Sequence, residues 1–102
     1  MIAPTSVEEH SSDLPTHFSL SQNYPNPFNP STTIRYSLPQ RSRVSLTVFN
    51  TLGQQVATLV NEAQEADYHD VRFDGSGLAS GVYFYRIMAG TFVATKKLLL
   101  IR

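Results

Sequence analysis

Thr32-Thr33-Ile34-Arg35-Tyr36-Ser37-Leu38 and, four residues on, Arg43-Val44-Ser45-Leu46-Thr47-Val48-Phe49 alternate apolar and polar residues with a period of two. Ile34, Tyr36 and Leu38 share one face while Thr33, Arg35 and Ser37 share the other, and Val44, Leu46 and Val48 oppose Ser45 and Thr47 in the same way. A strand half-buried on a core requires this pattern, and a helix would scatter it round its circumference. Downstream, Asn50-Thr51-Leu52-Gly53 supplies a turn, with Gly53 suited to a left-handed conformation, so Gln54 to Val60 returns antiparallel. Val56 and Leu59 are three apart and out of phase, which predicts a bulge or an early end. Residues 61–67 carry no apolar stripe and are expected to form a loop. Tyr68 to Phe73 alternates again and Asp74-Gly75-Ser76-Gly77 stops it. Val82 to Met88, a turn at Ala89-Gly90 and a long Thr91 to Ile101 segment follow, and Phe18 to Leu20 adds a short first strand. Seven short antiparallel strands without a helix predict an all-β fold, a seven-stranded immunoglobulin-like β-sandwich.

The chain of 102 residues and 11.4 kDa fits one domain and is short for a cofactor fold with crossovers. Hydrophobic residues make up 41% and charged residues 16%, a composition that can fold on its own core. Eight basic and eight acidic residues balance, which argues against an electrostatic grip on nucleic acid or anionic lipid. Cysteine is absent, removing disulfides, thiolate catalysis and Cys-ligated zinc. The longest apolar run, Leu98 to Ile101, is far below the roughly 20 residues of a membrane helix, and residues 1–12 lack the basic start and apolar stretch of a signal peptide. All six prolines lie in residues 1–39 and all five glycines after them. Residues 1–31 hold three acids and no Lys or Arg, whereas residues 32–102 hold all eight bases and five acids. Residues 1–15 are expected to be a flexible linker and residues 16–102 the folded body.

No set of residues combines into a reaction centre. His10, His17 and His69 have no metal-ligand spacing, and His69 at the head of a strand suits a hydrogen bond to a loop carbonyl. Asp67 and Asp74 bracket a strand and would stand roughly 20 Å apart, too far to share a calcium ion with Asp70. Ser76 lies in a Gly-Ser-Gly turn rather than a nucleophile elbow. No catalytic, metal-binding or cofactor-binding residue is assigned, and no cofactor is expected. In Asn23-Tyr24-Pro25-Asn26-Pro27-Phe28-Asn29-Pro30 the prolines restrict the backbone and the asparagines satisfy it locally, making an arm from which Tyr24 and Phe28 cover an end of the core and shield a sheet edge. Tyr83, after Gly81, matches a tyrosine corner, its hydroxyl bonding back to the chain. An aromatic sugar platform of Tyr83, Phe84, Tyr85 and Phe92 is the competing idea, as part of an accessory adhesion or carbohydrate-binding module. At the end of the chain, Lys96 and Lys97 precede Leu98-Leu99-Leu100-Ile101 and Arg102. If that strand lies at a sheet edge, its backbone is a template for a partner.

Gln22 through Ile34, Leu52-Gly53-Gln54-Gln55-Val56, Leu78-Ala79-Ser80-Gly81-Val82-Tyr83 and the Lys-containing last strand closely resemble the type A C-terminal sorting domain of the type IX secretion system, over about residues 18–102. The resemblance extends to the immunoglobulin-like domain of flagellar hook-capping proteins. It implies a non-catalytic C-terminal signal on a larger, N-terminal cargo. Such cargo enters the periplasm by a separate signal, meets the outer-membrane type IX translocon, and is often cut by a surface sortase-like protease that joins it to a lipopolysaccharide anchor. Carried over by position, translocon recognition falls to Gly81, Tyr83, Gly90, Lys96, Lys97, Leu98, Leu99, Leu100, Ile101 and Arg102, with cleavage in or near the linker before Phe18. Two departures, Asp67 where glycine is common and Phe73 where tryptophan is common, bear on local loop shape. The resemblance implies a secreted or cell-surface location, and the balanced charge gives no reason to expect a nucleic-acid partner.

Overall fold

The computed structural model describes residues 14–102, and most of the expected linker, with His10, lies outside that range. Seven strands follow in chain order: β1 (Ser19–Leu20), β2 (Ser31–Leu38), β3 (Ser42–Phe49), β4 (Gln55–Gln64), β5 (Asp67–Asp74), β6 (Gly81–Ala89) and β7 (Phe92–Leu100). They form a three-stranded sheet ordered β1-β2-β5 and a four-stranded sheet ordered β4-β3-β6-β7, every pairing between these strands antiparallel. The chain changes sheet between β2 and β3, between β4 and β5, and between β5 and β6, the wiring of an immunoglobulin-type sandwich.

Alternation places the core as expected. Ile34, Tyr36 and Leu38 from β2, Val44, Leu46 and Val48 from β3, Tyr85 and Ile87 from β6, and Leu98 and Leu100 from β7 are all fully buried. Each such side chain contributes on the order of 1.5–3 kcal/mol relative to exposure, so both sheets depend on the same shared layer. The out-of-phase residues of β4 are the bulges. Leu46 pairs with Val60 and Thr47 with Thr58, leaving Leu59 extra; Val48 pairs with Ala57 and Phe49 with Gln55, leaving Val56 extra.

The expected loop over residues 61–67 is mostly strand. β4 continues to Gln64, opposite Ser42, and only Glu65 and Ala66 separate it from β5. Its polar composition reflects its place at a sheet edge, where Glu62 and its neighbours face solvent, so no apolar period was there to be found. Tyr36 donates its hydroxyl hydrogen to Gln64 Oε1 and ties this extension to the other sheet. His69 stacks on Tyr36 with ring centroids 5.3 Å apart, and its Nε2 lies 2.9 Å from the Glu65 carbonyl oxygen. Asp67 opens β5 and accepts the Tyr68 N–H at 2.7 Å. Phe73 is buried, its ring centroid 5.9 Å from that of Phe28.

Candidate functional site

The terminal strand β7 lies at an edge of the four-stranded sheet and pairs with β6 along its whole length, from Ala89–Phe92 to Gly81–Leu100. Because side chains alternate, Phe92, Ala94, Lys96, Leu98 and Leu100 point toward the other sheet, whereas Val93, Thr95, Lys97 and Leu99 line the outer face. Leu98 and Leu100 are fully buried, Leu99 is half-buried, and Lys97, Ile101 and Arg102 are exposed. The two lysines therefore stand on opposite faces of one strand. Neither is in an ion pair; among the described residues the ion pairs are Arg35–Asp70 and Arg41–Glu65.

Gly81 opens β6 and Gly90 follows its last residue, roughly 30 Å away along the strand. Gly81 has φ +149° and Gly90 φ +59°, conformations that a side chain disfavours. Gly90 and Thr91 form the turn, so the hairpin closes one residue later than Ala89-Gly90 suggested. Tyr83 is buried and donates its hydroxyl hydrogen to the Ala79 carbonyl at 2.7 Å, which makes the tyrosine corner that the sequence indicates. At the same end the Arg102 guanidinium donates to the carbonyls of Ser76 and Leu78. Gly81, Tyr83, Leu98, Leu100 and Arg102 thus gather at one corner, and Gly90 is remote from it.

The proline arm runs along the free edge of β7, the shielding role expected of it. Gln22 Nε2 donates to the Lys97 carbonyl at 2.7 Å and Leu99 N donates to Asn26 Oδ1 at 3.0 Å. Phe28 N donates to the Leu99 carbonyl at 2.9 Å, and Ile101 N to the Phe28 carbonyl at 3.0 Å, a parallel bridge between Phe28 and Leu100. On its other side the arm meets β2 through Tyr24 and Thr33, which exchange two bonds of 3.0 Å. Asn23 is buried and anchors the middle. Its Nδ2 donates to Thr32 Oγ1 at 3.1 Å and to the Pro25 carbonyl at 3.2 Å. Its backbone N–H donates to the Tyr85 hydroxyl at 2.8 Å, while that hydroxyl donates to the Ser21 carbonyl at 2.6 Å. Pro25, Pro27 and Pro30 each follow a cis peptide bond.

Two sequence expectations for this arm are corrected. Asn26 bonds β7 rather than its own backbone. Phe28 covers the core at 1% exposure, but Tyr24 is 81% exposed, because extended backbone that turns Asn23 inward turns its neighbour outward. The sugar platform is not assembled either. Tyr83 and Tyr85 are buried in the core, and Phe84 lies on the opposite face of β6 from them. Between Asn26-Pro27 of the arm and Val82, Lys97 and Leu99 there is an open hollow of about 210 Å³.

Burial pushes the phenol of Tyr85 up to about 12, its hydrogen bond with Asn23 opposing the shift, so the bridge to the arm stays protonated well above neutrality. Among the described residues no group of three His, Asp or Glu side chains converges as a metal would require. The arm and the terminal strand form a two-part surface that presents backbone and side chains.

Residues 22–101 match the family model described as the secretion system C-terminal sorting domain. No curated protein matches the chain.

Proposed function

The chain belongs to the secretion system C-terminal sorting domain family, and from that membership we propose that its sandwich is the non-catalytic export label of a larger cargo protein. The family implies a sorting signal for type IX secretion, contact with that machinery and a secreted or surface location. On this reading an N-terminal cargo passes through the outer-membrane type IX translocon, which engages the corner formed by the ends of β6 and β7. A surface sortase-like protease then cuts near or within residues 1–17.

One observation carries the reading: Lys97 to Arg102 lie on a sheet edge beside the arm rather than inside a sheet. The ten residues assigned from the family pattern divide by what the fold lets them do. Gly90, Lys97, Ile101 and Arg102 are exposed and Gly81, Lys96 and Leu99 half-buried, all seven reachable by a partner, whereas Leu98, Leu100 and Tyr83 are buried and act by holding the strand and its corner in place.

The test is a fusion of residues 14–102 behind a reporter with its own signal peptide, in a host that has the machinery. The intact fusion is expected at the surface and a fusion lacking residues 96–102 in the periplasm. That deletion also strips Leu98 and Leu100 from the core. A second variant, Ile101→Ser with Arg102→Ala, alters only exposed residues and is expected to lower the surface fraction. Periplasmic retention of the intact fusion refutes the reading.

A further inference from the structure

The free edge of β7 has two unlike halves. The bonds from the arm show that backbone groups of residues 97, 99 and 101 point away from β6. Backbone direction alternates along a strand, so Val93 and Thr95 turn their N–H and C=O groups to the same side. No described residue bonds them there. The open half, Phe92 to Lys96, is about 16 Å long; Phe18 stacks on Phe92 with ring centroids 5.3 Å apart and β1 comes near without pairing with it, while Val93 is 57% exposed beside Met88 at 45%.

An uncovered edge invites another strand, and a charge near it decides which strands are accepted. Lys96 and Lys97 flank the end of the open half, one on each face. The carboxylates of the described residues, Glu62, Glu65, Asp67, Asp70 and Asp74, all lie on β4, β5 or their connection. β4 is the opposite edge of the sheet that ends in β7, whereas Asp74, at the end of β5, adjoins Gly75, which packs against Leu100. None of these carboxylates forms an ion pair with Lys96 or Lys97. Antiparallel pairing of the open half with a second copy would set Lys96 opposite Phe92 and leave both lysines without a carboxylate.

We propose that the open half of β7 accepts an extended acidic segment of a partner protein as an added strand, with the partner's carboxylates meeting Lys96 and Lys97. The proposal rests on the export reading only in taking that partner to be part of the secretion machinery. Backbone bonds to Val93 and Thr95 supply the docking and the lysines supply the selection.

The experiment is an NMR titration of the isotopically labelled chain with two capped peptides, Thr-Val-Glu-Val-Glu-Val-Thr and the same sequence with Lys for Glu. The acidic peptide is expected to shift the amides of residues 92–97 and to bind at least about tenfold more tightly than the basic one, a difference of about 1.4 kcal/mol. Thr95→Pro removes a laterally directed N–H, which an edge strand tolerates, and is expected to abolish binding. Should that variant fail to fold, Lys96→Glu with Lys97→Glu carries the test by reversing the preference. Equal affinity for the two peptides, or shifts confined to other strands, overturns the proposal. In the reporter fusion, retention of the wild-type chain counts against the export reading alone. Unchanged export of a folded Lys96→Glu, Lys97→Glu chain overturns strand addition in export and leaves that reading intact.

Discussion

Replacing Tyr85 by Phe removes one oxygen atom and leaves the packing of the ring intact. That hydroxyl donates to the Ser21 carbonyl at 2.6 Å and accepts the Asn23 N–H at 2.8 Å, and Asn23 is only 2% exposed. Water cannot readily reach the Asn23 N–H, whereas Ser21 is an exposed residue and its carbonyl is the cheaper loss. Each orphaned group costs about 1–3 kcal/mol, so Tyr85→Phe is expected to lose about 2–4 kcal/mol. For a domain of this size that is a fall in Tm of roughly 10–20 °C. Tyr36→Phe is the matched comparison, since it too loses a buried tyrosine's hydrogen bond. There the abandoned partner is Gln64, half-exposed at the end of β4 and able to turn to solvent, so the loss should be about 1 kcal/mol. Thermal unfolding followed by circular dichroism measures both. Amide exchange at Asn23, Phe28 and Ile101 shows whether the arm loosens first. A Tyr85→Phe chain melting within about 2 °C of wild type, or a larger loss for Tyr36→Phe, would refute the claim that this hydroxyl fastens the arm.

Alkali should weaken the fold through the same rings. Burial holds the phenols of both Tyr36 and Tyr85 up at about 12, against 10.0 in the unfolded chain. The folded state thus keeps protons that the unfolded state releases, and stability present below pH 10 drains away as the pH rises toward 12. Urea midpoints measured across that interval should fall steadily, and less so for Tyr85→Phe. At Gly75 a Cβ would stand 3.2 Å from the Phe28 ring and 3.3 Å from Leu100 Cδ2. Gly75→Ala should therefore cost about 1–3 kcal/mol, whereas Gly77→Ala, with nothing within 4 Å, should be nearly neutral by denaturant titration.

Most of the sandwich was legible because its strands are half-buried, and half-burial leaves a period of two in the sequence. β2, β3 and β6 announce themselves in this way, and even the bulges of β4 show as two apolar residues out of step. The end of β4 was not legible, because an edge strand exposed on both faces has no apolar face to record. The tyrosine corner could be anticipated from Gly81 and Tyr83, since its partner, Ala79, lies four residues away. The bonds that fasten the arm could not. Gln22 to Lys97, Asn23 to Tyr85 and Asn26 to Leu99 join residues separated by 62–75 positions, and polar side chains do not name distant partners. Tyr24 and Phe28 are both aromatic, and only the backbone direction decides that one is buried and the other exposed.

The junction of arm and terminal strand also sets an order of events during synthesis. Asn26 leaves the ribosome 73 residues ahead of Leu99, the backbone it will hold. Until that late segment emerges, Phe28 has no Leu100 to lie against and β6 is paired on one side only, by β3. Contacts of such long sequence separation form slowly, so the arm can be fastened only after β7 has been made and has paired with β6.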